Sequence, residues 1–83
     1  MNRAEILERV FEIVSDVYAV PVAQVTPESD MVLDLGGDEV QRMELLDVLG
    51  DEFEVELDED EFMELGTPGD VVDLVEDALD QQT

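Results

Sequence analysis

The chain has 83 residues and a formal net charge of -22, from 25 acidic residues against three arginines, with no lysine, cysteine or histidine. A chain of this length supports one domain, residues 1–83, with a thin core, because folding at this size buries only about 60 to 65% of the unfolded surface. The composition excludes disulfides and thiolate or imidazole metal sites, removes the commonest general base, and leaves no basic footprint for nucleic acid or an anionic membrane.

Hydrophobic residues at 45% argue against disorder. The acidic surface keeps a small protein soluble and favours fast, salt-sensitive docking to proteins with basic patches. With neither a basic-then-apolar leader nor a run of 18 apolar residues, a cytoplasmic monomer is expected.

Asn2 followed by Glu5 reads as a capping box, and Ile6, Leu7, Val10, Phe11, Ile13, Val14, Val17 and Tyr18 recur at helical spacing, so a first helix is predicted over Arg3 to Tyr18. Glu5 and Arg9 stand in the favourable i,i+4 order for an ion pair. From Ala19 to Gly37 two prolines and a polar run break the pattern, with at most one helical turn at Pro27. The apolar residues Val20, Val22, Val25, Met31, Val32, Leu33 and Leu35 predict that this long connection is packed over the helices.

Asp34-Leu35-Gly36-Gly37-Asp38-Glu39-Val40 joins that connection to a second helix running to Phe53 or Glu54. The glycines free the backbone, Asp38 is a good N-cap, and Val40 starts an apolar stripe that includes Met43, Leu45, Leu46, Val48, Leu49 and Phe53. The stripe is wider than a core face needs, so part of it is available to a partner or ligand. Gly50 weakens the last turn. Asp58 with Glu61 predicts a capping box for a short third helix carrying Phe62, Met63 and Leu65, closed by Gly66. Thr67-Pro68-Gly69-Asp70 opens the last helix with a threonine cap and proline at its first position, and Asp80 to Thr83 should fray.

Taken together, Val25-Thr26-Pro27, Asp34-Leu35-Gly36-Gly37-Asp38, Glu44-Leu45, Glu52-Phe53, Leu57 and Thr67-Pro68-Gly69-Asp70 give a pattern that resembles the acyl carrier protein family from Ile6 to Leu79. The resemblance implies an all-α four-helix bundle with three main helices, a short third helix and a long first loop. It also implies a non-enzymatic role in fatty-acid, polyketide or related acyl or peptidyl metabolism. In the family the second helix is the docking surface for partner enzymes and an acyl chain is tucked between helices. Carried over, the motif and docking positions are Asp38, Val40, Arg42, Met43, Glu44, Asp51 and Glu52. Arg42 places a positive charge on the docking helix, and Gly50 stands where many relatives carry an acid.

The family motif is Asp-Ser-Leu, whose serine receives 4′-phosphopantetheine from coenzyme A; this sequence reads Asp38-Glu39-Val40. Attack by the Glu39 carboxylate would give a mixed acyl-phosphate anhydride, which hydrolyses readily, unlike a phosphodiester. No cofactor is therefore expected on this sequence. Ser15 lies within a helix and Ser29 in the loop, and neither has the helix-start setting of the family serine. Glu39 itself suits the first turn, where an anion interacts favourably with the helix dipole, and its charge could imitate that of the phosphodiester. The expectation is a non-loaded carrier homologue acting through protein–protein interaction with basic-patch enzymes. Two alternatives stand beside it: an authentic carrier whose serine was replaced by design or that is modified elsewhere, and an acidic divalent-cation module using Asp51 to Glu61, which lacks EF-hand spacing.

Overall fold

A computed structural model describes residues 2–81. In chain order these form α1 (Arg3–Tyr18), a 3-10 turn (Val22–Gln24), α2 (Glu39–Phe53), α3 (Glu59–Met63) and α4 (Pro68–Asp80), with no strand among the described residues. The all-α architecture expected from the sequence is the one observed; of the residues expected to fray, Asp80 still belongs to α4, and Gln82 and Thr83 lie outside the described residues.

Each helix starts where its cap residue dictates. The Asn2 side chain accepts from the Glu5 N–H at 2.9 Å and the Glu5 carboxylate accepts from the Asn2 N–H, so the first capping box is complete. Asp58 accepts from the Glu61 N–H, but no reciprocal bond from Glu61 accompanies it, so α3 has an N-cap instead of the full box. Thr67 accepts from the Asp70 N–H, and Pro68 fills the first turn of α4. Ala19 and Glu54, both with left-handed φ, turn the chain out of α1 and α2.

Helical spacing puts Ile6, Val10, Ile13, Val14 and Tyr18 on one buried face of α1, which packs against Leu45, Leu49 and Phe53 of α2 and Val71, Val72 and Val75 of α4. Phe62 from α3 is fully buried in the same core. Each fully buried side chain of this kind stabilises the fold by about 1.5–3 kcal/mol of transfer free energy. The bundle is also tied from outside by arginine. Arg3 on α1 pairs with Asp73 at 2.8 Å and Glu76 at 3.2 Å on α4. Arg9 pairs with Glu12 at 3.0 Å and with Glu52 on α2. The Glu5–Arg9 pair read from the sequence does not form, because Glu5 is held by its cap and Arg9 reaches the longer-range partner.

The first loop is packed, as its apolar residues require. Val25, Met31 and Leu35 are buried, the Met31 N–H donates to the Gly66 carbonyl at 3.0 Å, and the Gly69 N–H donates to the Pro27 carbonyl at 3.0 Å. The loop is thereby sewn to the link between α3 and α4 and to the first turn of α4, and its far end is fixed where α2 begins. Gly50 does not loosen α2, which continues to Phe53; a β-carbon there would lie 3.3 Å from the Val55 carbonyl, so the glycine makes room for the returning chain.

Candidate functional site

The start of α2 is built from three local constraints. Gly36 takes a left-handed φ of 71°, a conformation that costs a β-carbon-bearing residue about 1 kcal/mol. Gly37 donates to the Met31 carbonyl at 2.9 Å and lies so close to the Tyr18 ring that a β-carbon would sit 2.8 Å from Cε2. Asp38 then caps the helix: its Oδ1 accepts from the Gln41 N–H at 2.8 Å, and Gln41 Oε1 accepts from the Asp38 N–H at 3.1 Å. The sequence reading identified the cap but missed Gln41 as its reciprocal partner, although Gln three residues after Asp is a capping-box spacing.

This framework places Glu39 at the first residue of α2, exposed, with no hydrogen-bond or ion-pair partner among the described residues. The carboxylate lies at the positive end of a 15-residue helix, where an exposed anion gains about 0.3–1 kcal/mol. Val40, the next residue, is 75% exposed, and Val32, which lines the same cleft as Glu39, is 55% exposed, with Leu33 beside it in the loop at 83%. Val32 and Leu33 are held in that position by Asp30, whose Oδ1 accepts from both of their N–H groups at 2.8 Å, while Asp34 Oδ2 accepts from the Asp30 N–H. The backbone bonds from Leu33 and then Val32 hold the Asp30 carboxyl below its ordinary pKa. An Asp four residues before another, around three apolar residues, was the available sequence signal for this turn.

Beside Glu39 a cleft of about 330 Å³ is lined by Val32, Gly37, Asp38, Glu39, Arg42 and Met63. Arg42 lines it and is half-buried, with Nη1 donating to the Met63 carbonyl at 3.0 Å at the end of α3. It also lies close enough to Tyr18 to act on that hydroxyl, so α1, α2 and the end of α3 meet at one guanidinium. Burial raises the Tyr18 pKa above its ordinary value, and the Arg42 contact works in the opposite direction. Arg42, which the sequence placed as a charge on the docking surface, is directed into this junction.

The remaining motif and docking positions separate into two groups. Glu44 and Asp51 are exposed along α2 together with Val40, and Met43 is half-buried. Glu52 is turned toward α1 and engaged by Arg9. The hydroxyls elsewhere have structural partners: Ser15 donates to the Val20 carbonyl, and Ser29, nearly buried, joins the Gln24 carbonyl, the Thr26 N–H and the Thr26 hydroxyl. Among the described residues no three carboxylates converge closely enough to hold a metal ion, and no helix is long and apolar enough to cross a membrane.

Comparison with known proteins agrees with this architecture. Residues 8–75 match the family model described as a phosphopantetheine attachment site. The chain is 40% identical over 75 residues to an acyl carrier protein of Thermosynechococcus vestitus, covering 90% of this chain and 93% of that protein. A solved structure of acyl carrier protein from Enterococcus faecalis superposes with a TM-score of 0.77 at 31% identity, covering 94% of this chain and 99% of that one. A capped helix start behind a Gly-Gly turn, carried on a four-helix bundle, and a family match spanning most of the sequence lead to one assignment: the chain belongs to the acyl carrier protein family of phosphopantetheine-attachment domains.

Proposed function

We propose that this chain is a carrier-type protein that works without a covalently attached acyl group, as an acidic docking module for enzymes of acyl or peptidyl metabolism. The observation that carries the reading is Glu39 at the first position of α2, where the family pattern places the attachment serine. Attachment of phosphopantetheine requires a hydroxyl that can be deprotonated and can form a stable phosphodiester. Glu39 offers a carboxylate instead, and the two serines of the chain are held by internal hydrogen bonds away from the α2 start. The residues present therefore do not fit the group.

Docking has support of its own in the outward face of α2. Val40, Glu44 and Asp51 are exposed there, Asp38 and Glu39 lie at its head, and the whole chain carries a charge of -22. Enzyme surfaces rich in lysine and arginine would be steered to this face, with charge setting encounter rate and specificity more than affinity. Arg42, folded against Met63, leaves that face anionic.

The test is intact mass after incubation with coenzyme A, magnesium and a broad-specificity phosphopantetheinyl transferase, for the parent chain and for Glu39→Ser. The parent should keep its polypeptide mass and the variant should gain one phosphopantetheinyl group. A gain by the parent would overturn the reading; failure of both would mean that the transferase no longer recognises the scaffold.

A further inference from the structure

Between α1 and α2 lies a groove that shares only Glu44 with the docking positions described above. Ile13 and Val17 of α1 and Val48 of α2 supply its apolar lining, Asp16 and Glu44 stand with them, and it encloses about 230 Å³. The spacings put each set on one helix face, since residues three and four apart are neighbours. Val48 is 37% exposed in the middle of α2, while Ile13 across from it is 6% exposed, so the groove has a packed floor and an open lip. Asp16 and Glu44 have no ion-pair partner among the described residues. Each guanidinium is engaged elsewhere: Arg3 on Asp73 and Glu76, Arg9 on Glu12 and Glu52, and Arg42 on the Met63 carbonyl.

An apolar floor between two uncompensated carboxylates is complementary to a helix whose apolar ridge is flanked by cations. We propose that this groove receives a cationic amphipathic helix of a partner protein, seating an apolar side chain against Ile13 and Val48 while lysine or arginine on either side pairs with Asp16 and Glu44. The inference rests on the reading of the chain as a docking protein and adds α1 to the docking surface. It makes Asp16 and Val17 recognition residues, and the partner then straddles two helices instead of lying along α2 alone.

The test uses the full 83-residue chain, labelled with nitrogen-15, and a synthetic peptide of about 18 residues with leucine at helical spacing and lysine elsewhere. Saturable shifts concentrated at residues 13–17 and 44–48 are expected. Asp16→Lys and Glu44→Lys should each weaken binding about three- to tenfold, and Val48→Asp about tenfold, with the amide spectrum of each variant confirming the fold. Glu8→Lys, an equal charge reversal elsewhere on α1, should change affinity less than about twofold. Shifts spread evenly over the acidic surface, Glu8→Lys weakening binding as much as Asp16→Lys, or no saturable binding would each overturn the proposal. Those failures leave the mass gain of Glu39→Ser unaffected, so they are distinguishable from failure of the unloaded reading.

Discussion

Replacing Gly37 by alanine tests whether the start of α2 is positioned by close packing on α1. The new β-carbon would lie 2.8 Å from Tyr18 Cε2 and 2.9 Å from the Met31 carbonyl oxygen, both closer than van der Waals contact allows. Tyr18 cannot swing freely, because it is only 5% exposed within the core, and Met31 is held by its bonds to Gly37 and Gly66. Overpacking of this kind costs about 1–3 kcal/mol. For a domain of this size each kcal/mol moves the melting temperature by about 4–8 °C, so a fall on the order of 10 °C is expected. Thermal unfolding followed by circular dichroism measures it, with Gly66→Ala as control. A β-carbon at Gly66 meets nothing within 4 Å, and reduced freedom of the unfolded chain should leave that variant as stable as the parent or slightly more so. Equal melting temperatures for the parent and Gly37→Ala would refute the packing argument.

Other consequences concern charge and titration. With 25 acids and three arginines, self-repulsion should weaken as salt is added, so the melting temperature should rise between low salt and moderate sodium chloride; a flat response would contradict this. Asp30 has a lowered pKa in the folded state, so its contribution is fully present above its unfolded value and is lost as pH falls through the folded one. Asp30→Asn should therefore lower the melting temperature at pH 7, with the difference from the parent shrinking below about pH 4; a difference independent of pH would count against the turn as described. The single tyrosine gives an unmixed alkaline signal. Burial raises the Tyr18 pKa, so tyrosinate absorbance should appear with a midpoint above 10, and stability should fall as pH rises through it; a midpoint at or below 10 would contradict the buried placement.

Much of the fold was legible because local signals agreed with one another. The caps Asn2, Asp38, Asp58 and Thr67 and the 3.6-residue apolar spacing located all four helices, and the valines and leucines of the first connection announced its packing. Long-range partners were not legible. Arg9 pairs with Glu12 on its own helix, yet it also reaches Glu52, 43 residues away, which no local spacing encodes. Arg42 looked like a surface charge because helical register alone does not reveal that Tyr18 and the Met63 carbonyl converge beside it. The 3-10 turn at Val22–Gln24 has no periodic signature in three residues. At the α2 start the sequence named Asp38 and Glu39, whereas Asp30 and its presentation of Val32 and Leu33 came from backbone geometry.

Whether the chain works unloaded is tested most directly by the intact mass of the protein purified from its native cells without added transferase. A mass equal to that of the polypeptide alone, with Glu39 unmodified, is the predicted result. An added phosphopantetheinyl or acyl-phosphopantetheinyl mass, mapped to any residue, would contradict it.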